Sequence, residues 1–448
     1  MERKDEICLL NDSFPPTIDG VANTVMNYAR VIQGSGEAVS VVTPDHPEAD
    51  DSAFPYPVIR YPALDLRKRI GYTAGNPFDL RTLMKLQGRK IGLLHSHCPA
   101  MSNIMARSLR ESLDVPFIMT YHTKYDIDIA KLVKNKGLQH GAIKALVDSV
   151  RSTDELWVVS RGAGENIRSL GYQGDYLVMP NGVDMPRGRL SEERIRQAIA
   201  SFALRENVPL FLFVGRLMWY KGVKTILDAL AALHYAGRDF QMVFVGNGGD
   251  EEEIRAAVKA EGLSEKVFFT GPIRERETLS AWYCRADLLL FPSTFDTNGL
   301  VVREAAACGL GAVLVDGSCA AEGVRDGEDA LLIQDSAASL ALCLAEVMER
   351  RDFLKELGAQ AAENLYYSWD DSVHSAMERY EIVKEKFLRG DYKKKHTLSD
   401  EFFVISGDLL EFLEEQESRR RELIEKLGRA AELLEDRFEE LLDDEEDN

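Results

Sequence analysis

A chain of 448 residues, 45% hydrophobic and 29% charged, is too long for one core and ordinary in composition for a globular protein. Two domains with additions is the expectation. Its net charge of −20 repels phosphates and argues against nucleic acid as a partner. No apolar run reaches the roughly 18–20 residues needed to cross a bilayer. The six cysteines, at 8, 98, 284, 308, 319 and 343, form no Cys-x-x-Cys pair, which points to reduced thiols and away from a disulfide frame or a zinc site.

The start, Met1-Glu2-Arg3-Lys4-Asp5-Glu6, is charged and lacks the apolar stretch of a signal peptide, so a cytoplasmic chain is expected. Charge is unevenly spread. Residues 1–180 hold 21 basic and 21 acidic side chains, residues 181–396 hold 27 and 34, and residues 397–448 hold 6 and 19. The acidity is mainly a property of the tail, and the neutral first half, with its basic clusters, remains able to meet an anionic surface.

In chain order, strand-like runs come in two series. The first holds Ile7–Leu10, Ala38–Thr43, Ile91–Ser96, Phe117–Tyr121, Glu155–Val159 and Tyr176–Met179. The second holds Leu210–Val214, Gln241–Val245, Val267–Thr270, Leu288–Phe291 and Gly311–Val315. Short apolar or β-branched runs alternating with helical stretches predict parallel, doubly wound sheets, here two Rossmann-like domains of an α/β fold. The turn-rich Pro180-Asn181-Gly182-Val183-Asp184 marks the break. Ligands of open α/β sheets sit beyond the carboxyl ends of the strands, so a site in a cleft between facing domains is expected. Residues 390–395 read as a solvated linker. Leu423, Leu427, Ala430, Leu434 and Leu441 repeat with helical spacing over residues 408–442.

Several motifs sit on these elements. Gly20 falls where the first helix should begin, so that a phosphate could reach the free N–H groups of the helix end; it reads equally as a plain loop glycine. His95-x-His97 and Thr120-Tyr121-His122 both follow strands, which places them at sheet edges facing a cleft. The His-x-His pair resembles a metal motif, but no third ligand follows at suitable spacing, and no metal or cofactor is expected. Asp126-x-Asp128 reads as solvated capping carboxylates at a helix start.

The second series is more telling. Gly215-Arg216 ends a strand and Lys221-Gly222 opens a helix, a geometry in which two cations clamp a diphosphate and stabilise its departure as a leaving group. Gly246 lies in a second glycine turn after a strand. Phe291 to Glu304 again runs from strand to helix start, with Glu304 in the first turns where a carboxylate can accept from ribose hydroxyls.

These pieces, in this order, resemble the retaining glycosyltransferase family four. The strongest match is Phe291 to Gly309, which looks like that family's acidic-x7-Glu signature. It is joined by Pro180–Asp184, Gly215-Arg216 with Lys221, and Thr120-Tyr121-His122. The resemblance covers residues 5–389 and implies a GT-B fold: residues 1–183 an acceptor domain, 184–368 a nucleotide-sugar domain, 369–389 a crossing helix returning to the first domain, and 390–448 an acidic helical tail. It implies that His122 meets the sugar, that Arg216 and Lys221 hold the diphosphate, and that Asp296 with Asn298, Gly299, Leu300 and Val301 holds sugar and phosphates. Glu304 would bind the ribose, Ile273 the base, and Gly20, Gly215 and Gly246 would border the donor. The family has Glu where this chain has Asp296, which leaves the sugar open.

Within the family the chain looks most like bacterial diacylglycerol glucosyltransferases. Arg67, Lys68 and Arg69, with Lys131 and Lys134, would then lie against anionic headgroups at about 1 kcal/mol per well-placed cation; a solvated charged face reads as well. The reaction implied is metal-independent, retaining transfer of a hexose from a nucleotide-sugar such as UDP-glucose to a membrane lipid, at the inner face of the membrane. A soluble glycan or small-molecule acceptor, a nucleotide-sugar epimerase and a non-catalytic binding protein are the competing readings. The tail is expected to dock on the first domain or to self-associate.

Overall fold

The structure, a computed structural model, describes residues 5–17, 19–65 and 73–392. The expectations for Arg67, Lys68, Arg69 and the acidic tail lie outside the described residues. By packing, the chain divides into two compact units. Among the described residues, one takes in those up to Thr120, Asp148–Leu156 and Arg379 to Tyr392; the other is Tyr121–Val147 with Trp157–Glu378.

The first half runs β1 (Glu6–Leu10), α1 (Gly20–Gly34), β2 (Val39–Pro44), β3 (Val58–Tyr61), β4 (Ala63–Asp65), β5 (Thr73–Gly75), α2 (Leu80–Gln87), β6 (Ile91–Ser96), α3 (Met101–Leu113) and β7 (Phe117–Tyr121). It continues with α4 (Tyr125–Leu132), α5 (Lys136–Arg151), β8 (Glu155–Val158), α6 (Arg161–Ser169) and β9 (Leu177–Val178). The second runs α7 (Glu192–Ala198), β10 (Leu210–Val214), α8 (Val223–Tyr235), β11 (Gln241–Val245), α9 (Glu251–Ala260), β12 (Val267–Gly271), α10 (Arg276–Arg285) and β13 (Leu288–Phe291). Then follow α11 (Leu300–Ala307), β14 (Ala312–Val315), β15 (Leu331–Ile333), α12 (Ala337–Val347), α13 (Arg351–Asn364) and α14 (Trp369–Leu388).

Strand order is β3-β2-β1-β6-β7-β8-β9 in one sheet and β12-β11-β10-β13-β14-β15 in the other. In both, the order runs out from the first strand to one side and then reverses to the other, the doubly wound pattern. A crevice opens where the order reverses, between β1 and β6 and between β10 and β13. The two sheets form two Rossmann-like halves, as the alternation of runs predicts, and so agree with the GT-B fold that the resemblance implies. Strands Leu210–Val214 and Gln241–Val245 are buried at every residue and pair in parallel. A central parallel strand is covered by helices on both faces, so it reads as a continuous apolar run without alternation. The sequence runs missed β3, β15 and the antiparallel β4–β5 ribbon, all of three or four residues, too short to stand out from turn sequence.

Helix α14 is claimed by both units. Its first part belongs with Tyr121–Glu378; there Ser372 Oγ donates to the Pro180 carbonyl at 2.7 Å. Its last part belongs with the other unit. There the Tyr380 hydroxyl lies 2.6 Å from His95 Nδ1, and Arg379 forks onto both oxygens of Glu155 at 2.6 and 3.0 Å.

Candidate active site

The crevice between β10 and β13 gathers the charged residues singled out in the second half. After β10 the chain turns through Arg216 and a short 3₁₀ stretch, Trp219–Lys221, to Gly222. Gly222 has φ of 80°, and a Cβ there would stand 2.3 Å from the carbonyl oxygen of Pro292, just past β13. Only glycine allows the two loops to approach so closely. The approach brings Lys221 Nζ to 2.7 Å from Asp296 Oδ2, the two side chains 15% and 24% exposed. Behind this ion pair the rings of Tyr220 and Phe295 pack 4.9 Å apart. Arg216, two residues after β10, is exposed, its guanidinium without a protein partner among the described residues.

Asn298 and Gly299 lead into α11. Gly299 has φ of 59°, and no side chain caps the helix. The first backbone N–H groups, at Leu300 and Val301, therefore keep the partial positive charge of an uncapped helix start. One turn on, Glu304 accepts from the Tyr283 hydroxyl at 2.8 Å and from Arg276 Nη1 at 3.1 Å. Burial raises its pKa above the ordinary carboxylate value, and the Tyr283 and Arg276 contacts oppose that rise. Each carboxylate oxygen has a second lone pair, so the group still accepts from a ligand. Neither Tyr283 nor Arg276 was legible as a site residue: Tyr283 reads as apolar helix and Arg276 as a surface charge.

The glycine turns pack backbone on backbone. A Cβ on Gly246, where φ is 129°, would lie 2.0 Å from the Gly215 carbonyl oxygen, and Gly246 N donates to the Gly271 carbonyl at 2.9 Å. Gly215 and Gly246 thus stack the loops after β10 and β11, and Ile273, two residues beyond β12, packs partly buried against the same core.

His122 follows β7 and belongs to the same unit. Its carbonyl accepts from Thr297 Oγ1 at 2.9 Å, which fixes it beside the Asp296–Asn298 loop. Its imidazole is buried, and burial brings its pKa down to about 3, so the ring is neutral near pH 7.

Three expectations change. His95 and His97 do not face a cleft; both are fully buried, their rings 4.1 Å apart, and His95 Nε2 lies 2.7 Å from Thr120 Oγ1. Asp126 is no solvated cap, because Lys124 takes the N-cap position of α4 and Asp126 Oδ1 accepts from Asn166 Nδ2 at 3.2 Å. Gly20 does open α1, but Asp19 already fills the helix end, accepting from Val21 and Ala22 N–H at 2.9 and 2.8 Å. Of the proposed membrane-facing cations, Lys134 is exposed after α4, the helix that carries Lys131.

Two Rossmann-like halves, with cations, an uncapped helix start and carboxylates gathered at a strand-order reversal, are the architecture of a glycosyltransferase of the GT-B class. Residues 18–187 match the family model described as Glycosyltransferase Family 4, and residues 194–364 match that described as Glycosyl transferases group 1. Between them these take in most of the chain, which belongs to glycosyltransferase family four. Among its relatives, an alpha-monoglucosyldiacylglycerol synthase from Streptococcus pneumoniae is 21% identical over 68% of this chain and 69% of its own. A D-inositol 3-phosphate glycosyltransferase from Nocardia farcinica is 29% identical over 66% and 67%. Among solved structures, a sucrose-phosphate synthase from Thermosynechococcus elongatus superposes with a TM-score of 0.68 at 20% identity, covering 85% of this chain and 99% of that one. Anabaena HepE, in complex with UDP and glucose, gives 0.65 at 17% identity, covering 84% and 99%. These likenesses bear on the fold.

Proposed function

We propose that this glycosyltransferase moves a hexose from a nucleoside-diphosphate sugar, UDP-glucose the leading candidate, to a lipid acceptor such as diacylglycerol, with retention at the anomeric carbon. The observation that carries the reading is the convergence of Arg216, the Lys221–Asp296 pair and Glu304 on the β10–β13 crevice. Arg216 and Lys221 receive the diphosphate and offset the negative charge that grows on it as the glycosidic bond breaks. That is the part a divalent ion would otherwise play, so the reaction proceeds without one. When donor enters, Lys221 turns from Asp296 to phosphate and Asp296 is released to accept from sugar hydroxyls. The N–H groups from Asn298 to Val301 hold sugar and phosphate, Glu304 the ribose and Ile273 the base, with Gly215 and Gly246 bordering the donor. Neutral His122 donates to a sugar hydroxyl.

The acceptor reading draws on the diacylglycerol-named relative and on the basic cluster Arg67-Lys68-Arg69 with Lys131 and Lys134. No described helix is long and apolar enough to cross a membrane, so contact with the bilayer would be peripheral. The inositol-phosphate-named relative favours a soluble acceptor as the second reading. A screen of UDP-, GDP- and ADP-sugars for slow hydrolysis, then of diacylglycerol vesicles and soluble polyols with the best donor, decides between them. The expected result is an α-linked glycolipid from an α-linked donor, formed equally with chelator present. Conversion of the donor sugar without acceptor identifies an epimerase instead, and binding without turnover identifies a non-catalytic protein.

A further inference from the structure

Next to the Asp296–Gly299 loop, the unit of Tyr121–Val147 and Trp157–Glu378 carries a half-open cavity of about 310 Å³ lined by, among others, Ser160, Arg161, Asn298, Arg303, Cys319 and Glu322. Its size is at the small end of the ~300–1,000 Å³ usual for small-molecule sites. Arg303 follows Val302 on α11 and precedes Glu304. Successive helical residues project about 100° apart, so Arg303 leaves the ribose-facing side and turns to this cavity.

The Arg303 guanidinium is poorly satisfied. It has five N–H donors and makes one hydrogen bond, 3.3 Å to the Leu365 carbonyl; the Tyr367 ring lies 6.0 Å away. It forms no ion pair among the described residues. Burial lowers its pKa, with Tyr367 and Glu322 opposing the shift. Its remaining donors are open to water in the cavity, where the oxygens of an anion can take the water's place in charge-assisted hydrogen bonds.

A second group in the lining has the same need. Asn298 Nδ2 is buried with no hydrogen-bond partner. The one carboxylate of the lining is already engaged, because Glu322 accepts from the backbone N–H groups of Arg161 and Gly162 at 2.7 and 2.6 Å. It ties down the start of α6 and leaves Arg303 and Arg161 as the uncommitted charges. Donors without acceptors, next to a void, ask for a ligand rich in acceptor oxygens.

We propose that this cavity is a second anion site, taking a small soluble phosphate monoester whose oxygens accept from the Arg303 fork and the Asn298 amide, with Arg161 alongside. Planar guanidinium is suited to bidentate phosphate contact. The site uses the Arg303 side of α11, about 100° round from Glu304, and the side chain of Asn298 where the donor reading uses its backbone; the UDP arm of the test below separates the two sites.

The test uses the full chain. Inorganic phosphate and glycerol 3-phosphate are titrated by calorimetry, with and without saturating UDP, and their effect on melting temperature is recorded. The ester should bind with UDP present. Arg303→Gln should weaken it about 10- to 100-fold, the usual worth of a hydrogen bond to a charged group, and Arg303→Lys should keep part of it. Because the readout is the ligand-induced change, a shift in the variant's own stability does not obscure it. Unaltered binding by Arg303→Gln overturns the proposal. Displacement by UDP overturns it too, since phosphate would then be reporting the donor crevice.

Discussion

At the scale of single residues, the proposed function makes the Lys221–Asp296 ion pair two functional groups that neutralise one another until the donor separates them. Lys221→Ala removes a preorganised positive charge from the leaving group and should lower kcat roughly 10²- to 10³-fold, measured as donor turnover at saturation; activity within threefold of wild type refutes the role. His122 gives a stability prediction. Its folded pKa of about 3 lies below the ~6.5 of an unfolded histidine, so the unfolded state binds more protons through that window. Stability is therefore held at neutral pH and lost as pH falls from 6.5 towards 3. The loss should reach about 2 kcal/mol by pH 5. Urea denaturation at pH 7 and pH 5 should show it in wild type, and the difference should shrink in His122→Gln.

At the scale of elements, the chain uses glycine to press loops together where a site is needed. Gly222→Ala forces a Cβ into the Pro292 carbonyl, 2.3 Å away, at a φ of 80°. It should cost on the order of 1–3 kcal/mol from backbone strain alone. Activity should fall with stability, because the Lys221 loop must shift; a variant with unchanged melting temperature and turnover contradicts this account. Much at this scale was legible. Strands such as Leu210–Val214 announce themselves because a parallel strand buried on both faces is apolar throughout, and Lys221-Gly222 and Asp296 to Glu304 stand at strand-to-helix junctions. What stayed hidden is contact between residues far apart in sequence. The Tyr283 and Arg276 grip on Glu304 and the Glu322 clamp on α6 depend on how helices pack, which periodicity does not encode. His95 was misread for a related reason: its place at the end of a strand suggested a sheet edge facing a cleft, while Tyr380, 285 positions away, meets it in the core.

At the scale of the whole molecule, charge is divided along the sequence, with residues 397–448 carrying 19 acidic and 6 basic side chains and residues 1–180 none in excess. If the first half docks on an anionic leaflet, binding should fall steeply as salt rises past the physiological ~0.15 M, where screening shortens to about 8 Å. Sedimentation with vesicles of graded anionic content measures this. Neutralising Arg67, Lys68 and Arg69 together should cost up to about 3 kcal/mol of binding. Binding indifferent to both salt and lipid charge removes the mechanism and turns attention to a soluble acceptor.

The division of α14 between the units also bears on how the protein is made. Glu155 and His95 emerge early from the ribosome, yet Arg379 and Tyr380, which pair with them, are synthesised more than two hundred residues later. The part of the molecule translated first is therefore among the last to be completed. Until then the contacts of Arg379 with Glu155 and of Tyr380 with His95 are not yet made, a state open to off-pathway association. A chain stalled or cut near residue 183 should behave as an unfinished domain, and a peptide spanning Arg379–Tyr392 supplied separately should restore part of its stability.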